Sequence, residues 1–246
     1  MSYGFPYYFS GHFGVNLATA SKVLDHWMPS NRNRFTGADL NFLASILAPE
    51  EQRHHLENLW SDPGAQRELL DLKEVFRGLL DLPAAIQVSP RFYFYVLVRH
   101  AFLQANLCDA EMADYVAGIM TKRVCSSPQD PLQNIAHGFT HASDFIAIIS
   151  NAKGRMRFHL QVAAGNQFLV LAGLYPDFLR HRSEKCGAPD IEFYESFAQQ
   201  SFREAAENRL GSGKSSRLLL GALSEALPAA RRSLNRVAEE FVFLGD

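Results

Sequence analysis

The chain has 246 residues, of which 47% are apolar and 20% charged, and its formal charge at neutral pH is −2. This composition is typical of a globular protein and excludes an intrinsically disordered chain. The small net charge argues against a strong general affinity for nucleic acid or for an anionic membrane surface.

The cysteine content and the apolar stretches indicate a cellular location. The three cysteines are an odd number without C-x-x-C spacing, which predicts reduced thiols rather than a disulfide framework. The N-terminus lacks the basic start and the apolar run of a signal peptide. The apolar stretches all fall short of the ~20 residues that a membrane span needs. We therefore expect a cytoplasmic protein without a membrane segment.

Apolar residues recur at helical spacing along nearly the whole chain, and the residues between these segments are typical of helix ends. An aromatic leader at 3–14 precedes a predicted first helix at 15–28, and Thr36 is predicted to cap a helix at 38–47. A further helix begins at Pro49, and another is expected to run from Pro63 to about residue 82.

The segment that Ser89 and Pro90 open is apolar on every side. Residues 91–98 alone fit a strand as well as a helix, but the apolar pattern continues to Leu103, beyond ordinary strand length. We therefore predict a central, buried helix. Asp109 is expected to cap the helix that follows it.

The second half of the chain gives the same pattern. The loop at 126–131 is the best internal break, and a long helical pattern at 134–174 is interrupted near 151–154. Helices are predicted from Pro176 to Gly187 and again from Pro189. Two last helices, divided near Pro228, follow the linker GSGKSS. The predicted fold is all-α, with about ten helices in one domain covering 1–246 and a subdomain break at 126–131 as an alternative.

One helix face carries the strongest candidate site. His137 and His141 are four residues apart and Asp144 follows one turn later, a spacing that can bind a divalent metal ion. A fourth ligand is expected from His159, or from His54 in the sequence E-x-x-H. The competing interpretation is a solvated face, with the opposite side, including Ile146 and Ile149, packed inward. The sequence implies no other cofactor.

Arg99 lies inside the apolar helix next to His100, and a buried guanidinium requires a carboxylate or carbonyl partner. We expect Asp144 or Glu111 to pair with it in an internal clamp, and anion binding is the alternative. GSGKSS at 211–216 lacks both the first glycine and the preceding strand of a phosphate-binding loop, so we interpret it as a linker.

Three basic clusters are interpreted as solvated helix surface rather than as one anion-binding patch. They are Lys153/Arg155/Arg157, Arg180/Arg182/Lys185 and Arg231/Arg232/Arg236.

The functional expectation follows mainly from missing motifs. The chain lacks G-x-S-x-G, H-E-x-x-H, G-x-G-x-x-G after a strand, and a DDxxD pair. The aromatic residues of the 3–14 leader fit either a strap over the core or a contact with another protein. We therefore expect binding to a protein partner, or self-association. The alternative is a metal-dependent enzyme that uses the histidine and carboxylate site.

Overall fold

A computed structural model describes residues 31–81, 88–125, 142–210 and 213–241. These residues form α-helices joined by short connections, and they contain no strand, so the all-α prediction is confirmed for them. The helices are α1 Gly37–Leu47, α2 Arg53–Ser61, α3 Pro63–Leu70, α4 Lys73–Leu80, α5 Pro90–Gln104, α6 Ala110–Cys125, α7 Ala142–Asn151, α8 Gly154–Leu174, α9 Pro176–Cys186, α10 Ile191–Glu207 and α11 Lys214–Phe241. Short 3-10 helices at Arg32–Arg34 and Glu50–Gln52 precede α1 and α2. None of the described helices combines the length and the apolar character that crossing a membrane requires.

Side chains cap most of the predicted helix starts. Thr36 and Asp39 form a reciprocal capping box at the start of α1. The Ser89 hydroxyl accepts a hydrogen bond from the backbone N–H of Phe92, and Pro90 then occupies the first turn of α5. At the end of α9, Gly187 has a φ of 61°, a left-handed conformation that glycine adopts without strain. These residues set where the helices begin and end.

α5 is a helix throughout the stretch that also fitted a strand, and it contacts α4 and the 3-10 helix at Arg32–Arg34. The side chains of Phe92, Tyr95, Leu97 and Phe102 are completely buried, as expected for a helix that is apolar on every side. The Phe35 ring, just before α1, contacts the rings of Phe92 and Tyr95 edge to face. α6 packs along α5, so α5 is covered from several directions.

α8, α10 and α11 form a three-helix bundle in the C-terminal half. Small residues allow the helices of this bundle to approach closely. A Cβ atom at Gly165 of α8 would lie 2.7 Å from the ring of Phe202 on α10. The side-chain amide of Asn235 on α11 donates hydrogen bonds to the carbonyls of Ala172 and Gly173 at the end of α8. α11 also contacts α5 and α6, so it touches helices of both halves.

The predicted division of the last helix at Pro228 was wrong, because α11 runs continuously from Lys214 to Phe241 with Pro228 inside it. Proline has no N–H to offer the carbonyl four residues earlier, which is that of Ser224. The side-chain Nε2 of Gln199 on α10 donates a hydrogen bond to this carbonyl instead, at 2.9 Å. A donor from a neighbouring helix thus compensates for the bond that proline removes.

Two other local predictions were wrong. The helix expected from Pro63 to about residue 82 is divided into α3 and α4 at Asp71, whose carboxylate binds Arg99. On α7 the buried side is marked by Phe145, whose ring packs 5.4 Å from that of Phe168. Ile146, which was expected to face inward, is 49% exposed.

His100 lies on α5 where this helix meets α4 and the end of α11. Its ring stacks on that of Phe76, with 3.5 Å between the centroids, and the side-chain Nε2 of Gln104 lies 2.7 Å from its own Nε2. Burial lowers the pKa of His100 below 6.5, and the positive charges of Arg236 and Lys73 lower it further, against the opposing effect of Glu240. The neutral imidazole is therefore the form that fits this junction.

Candidate functional site

A cleft of about 370 Å³ opens among the 3-10 helix at Arg32–Arg34, the α2–α3 junction and the start of α6. Its lining is mostly polar and includes Arg32, Trp60, Ser61, Gln66, Arg67 and Glu111. Two cations, one carboxylate and one indole therefore share a small concave surface. Concave sites with a few convergent polar groups are the usual place for ligand recognition.

Residues at the α2–α3 junction form one wall of the cleft. Asp62 accepts a hydrogen bond from the backbone N–H of Ala65 and caps α3, and Pro63 follows in its first turn. Gln66 and Arg67 then lie three and four positions beyond Pro63, on the same helix face. Trp60, near the end of α2, stacks on Phe35, with 5.8 Å between the ring centroids.

Arg32 forms the rigid side of the cleft. The backbone N–H groups of Asn31 and Arg32 both donate to Oδ1 of Asp114, at 2.9 and 3.0 Å. The Arg32 guanidinium lies 5.9 Å from the centroid of the Tyr95 ring and donates a hydrogen bond to Glu111. Burial by itself lowers the pKa of Arg32, but Tyr95, Glu111 and Asp114 outweigh it and raise the pKa. Arg32 is therefore a fixed, permanently charged cation.

Glu111 bridges the two arginines of the cleft. Its Oε1 atom accepts from Nη2 of Arg32 and lies 3.8 Å from Nη2 of Arg67. Asp109 caps α6 by accepting from the backbone N–H groups of Glu111 and Met112, which fixes the backbone of Glu111 at the first turn. The Glu111 side chain itself is 61% exposed, compared with 10% for Arg32 and 48% for Arg67.

A second ion pair lies one helical turn from the cleft. Arg99, whose side chain is 4% exposed, donates from Nε and Nη2 to the two carboxylate oxygens of Asp71, both at 2.7 Å. Its Nη1 donates to the carbonyl of Cys108 at 2.8 Å. Hydrogen bonding to Asp71 raises the pKa of Arg99 despite its burial. Asp71 follows Arg67 by four residues and caps the end of α3, the helix that carries Gln66 and Arg67.

The predicted internal clamp at Arg99 is thus observed, but with a partner that we did not predict. The carboxylate is that of Asp71, whereas Glu111 pairs with Arg32 and Arg67. The side chain of Asp144, the other predicted partner, lies outside the described residues. A bidentate pair that also includes a backbone carbonyl accounts for the buried charge without a bound anion.

The metal-site hypothesis remains a prediction. His137 and His141 lie outside the described residues, as does the side chain of Asp144, whose backbone belongs to α7. Of the proposed fourth ligands, His54 is exposed, with its Nδ1 3.5 Å from Glu57, and His159 is buried, its ring 5.2 Å from that of Phe158. Across the described part of the chain, no three side chains of metal-binding type come together.

Each basic cluster has a member paired with an acid, and the pairs of Arg157 and Arg180 lie on exposed surface as expected, whereas the Arg231 side chain is only 17% exposed. Arg157 lies 3.3 Å from Glu204, and Arg180 lies 2.6 Å from Asp177. Arg231 pairs with Glu195. Burial alone raises the pKa of Glu204, but hydrogen bonds from Gln200, Arg157 and Gln161 outweigh it and lower the pKa.

The interpretation of GSGKSS as a linker is supported by its surroundings. It follows the helix α10, and α11 begins at Lys214 inside the motif. A phosphate-binding loop requires a strand before it. The aromatic leader and the loop at 126–131 lie outside the described residues.

The cleft was not predicted from the sequence. Its residues come from separate elements and match no contiguous motif. The available signal was local: Pro63 in a first turn places Gln66 and Arg67 on one face, and Asp109 places Glu111 in another first turn. No protein-family model, no curated protein sequence and no solved structure matches this chain.

Proposed function

We propose that the protein acts by binding another protein, and that the cleft lined by Arg32, Trp60 and Arg67 is part of the contact surface. The observation that carries this proposal is the combination of residue types and rigidity in the cleft. Tryptophan and arginine are enriched among the few residues that contribute most to binding at protein interfaces. The Arg32 side chain is only 10% exposed and already lies against Asp114 and the Tyr95 ring, so little side-chain entropy is lost when a partner contacts it.

The arginines of the cleft suit the binding of anionic groups better than proton transfer. Their guanidinium groups stay protonated at every physiological pH, so they attract anionic groups but do not transfer protons.

The cytoplasm is the location that we propose. In support, the three cysteines are free and exposed, as is usual where thiols are kept reduced.

Affinity capture with matched charge reversals tests the proposal. Wild type, Arg67→Glu and Arg203→Glu serve as baits in a lysate of the source cells, and bound proteins are identified by mass spectrometry. Arg203 is the control because it is exposed on α10, outside the cleft lining. A partner recovered by wild type and by Arg203→Glu, but lost with Arg67→Glu, supports the proposal.

Light scattering tests self-association with the same three proteins. A mass above 27.6 kDa that Arg67→Glu alone returns to the monomer value also supports binding through the cleft. Two results together would count against the proposed function: a wild type that is monomeric in light scattering, and capture of the same proteins by wild type and by Arg67→Glu.

A further inference from the structure

Glu111 has the most exposed side chain of the three charged residues in the cleft. Its backbone is fixed by the Asp109 cap, but its side chain is more exposed than those of the arginines that it bridges. The contact between Glu111 and Arg67 joins two exposed side chains, and such a pair contributes only ~0–1 kcal/mol, so water and other carboxylates compete readily with it. The Glu111 carboxylate therefore pairs with the arginines through contacts that another carboxylate can replace.

The charges of the cleft favour exchange of one carboxylate for another. Arg32 and Arg67 contribute two positive charges and Glu111 one negative charge, and Asp114, which does not line the cleft, adds a second negative charge 3.9 Å from Nε of Arg32. Asp114 is 5% exposed and is held by two backbone N–H groups, so it stays when Glu111 leaves. Departure of the Glu111 carboxylate leaves one net positive charge, which a single incoming carboxylate neutralises.

We propose that the cleft binds a carboxylate side chain from an acidic segment of a partner protein, and that Glu111 acts as a built-in competitor. The incoming carboxylate displaces Glu111 from Arg32 and Arg67. The Gln66 amide, half-buried in the cleft lining, supplies a hydrogen-bond donor and acceptor for the peptide backbone. This inference rests on the proposed function and names the chemistry of the partner.

A peptide titration followed by NMR tests this inference directly. The probe is a tetraglutamate peptide with an acetylated N-terminus and an amidated C-terminus, and the tetraglutamine peptide with the same blocked ends is its uncharged match. The readout is the indole N–H signal of Trp60, distinguished from that of the other tryptophan by means of Trp60→Phe. Sodium acetate at equal carboxylate concentration and inorganic phosphate show whether a small anion binds equally well.

The two cleft variants are expected to change affinity in opposite directions. Glu111→Gln removes the competitor, so it should tighten binding of the glutamate peptide about fivefold, the upper value of one exposed ion pair. Arg67→Gln removes one cation and should weaken binding about fivefold. Arg203→Gln, which removes an exposed cation elsewhere, should leave the affinity unchanged. Binding in all variants should weaken at high salt.

Several outcomes would overturn the inference. Equal binding of the glutamine peptide would show that the cleft does not select a carboxylate, and an unchanged affinity in Glu111→Gln would exclude its role as competitor. Equal weakening by Arg67→Gln and Arg203→Gln would indicate nonspecific attraction. Phosphate or acetate that binds as tightly as the peptide would identify a small-anion site instead. If affinity capture recovers a partner that Arg67→Glu loses, but the glutamate peptide does not bind, the proposed function is supported and only this inference is rejected.

Discussion

The side chain of Gln199 replaces the hydrogen bond that Pro228 removes from α11, and this replacement can be tested by mutation. Gln199→Leu keeps a side chain of similar volume but deletes the donor to the Ser224 carbonyl. Ser224 is 2% exposed, so water has little access to its backbone. A buried carbonyl that loses its partner costs ~1–3 kcal/mol, and we expect Gln199→Leu to lower the free energy of unfolding by about 2 kcal/mol.

A double-mutant cycle distinguishes this mechanism from a general loss of packing. Pro228→Ala restores an N–H in position to bond to the Ser224 carbonyl within the helix. In that background Gln199→Leu should cost close to nothing, which gives a coupling energy of about 2 kcal/mol. Urea unfolding followed by circular dichroism measures all four proteins.

The neighbouring residue Gln200 provides the control. It is exposed and donates to Glu204 on its own helix, so Gln200→Leu should change stability by less than about 0.5 kcal/mol. A Gln199→Leu cost that is the same with Pro228 and with Ala at position 228 would refute the reasoning. A cost no larger than that of Gln200→Leu would refute it as well.

Three further predictions concern the buried ion pair, acid stability and metal. Asp71→Asn leaves the Arg99 guanidinium buried without its carboxylate, and it should lower the free energy of unfolding by about 3 kcal/mol in urea titrations. The pKa of His100 is lower in the folded protein, so the unfolded chain binds more protons as the pH falls below 6.5. The free energy of unfolding should therefore decrease in that range, and His100→Gln should reduce this pH dependence. The metal-site hypothesis predicts one divalent ion per chain in untagged protein, lost when His137 and His141 both become Ala, as measured by elemental mass spectrometry.

Each of these three predictions has its own control and its own contrary result. Asp177→Asn breaks an exposed ion pair and should cost less than about 0.5 kcal/mol; a cost equal to that of Asp71→Asn would contradict the role given to burial. His55→Gln changes an exposed histidine and serves as the control for the pH series, and identical pH profiles for wild type and His100→Gln would be contrary to expectation. Untagged protein that carries no metal would reject the metal site.

Local signals in the sequence predicted most of the helix boundaries. Thr36, Ser89 and Gly187 act through hydrogen bonds and backbone conformation within a few residues, so the sequence near each of them is sufficient. The continuous apolar pattern through Leu103 also distinguished a helix from a strand. In the described residues, the fold class therefore followed from spacing and helix ends alone.

The incorrect predictions share a different cause. Whether Pro228 ends a helix depends on Gln199, 29 positions earlier in the chain, and the partner of Arg99 is 28 residues away. The face of a short helix such as α7 is set by what it packs against, so helical spacing alone misplaced Ile146. The cleft combines residues from distant segments for the same reason. Periodicity contains none of this tertiary information.

The position of α11 has a consequence for folding during synthesis. Because this helix contacts α5 and α6 as well as α8 and α10, its partners in both halves lack a covering surface until the ribosome has delivered it. Until α11 has been synthesised, the growing chain therefore exposes apolar surface of these helices to solvent, a state prone to aggregation and to capture by chaperones. Closure of both halves then depends on a helix that follows all of its partners in the chain.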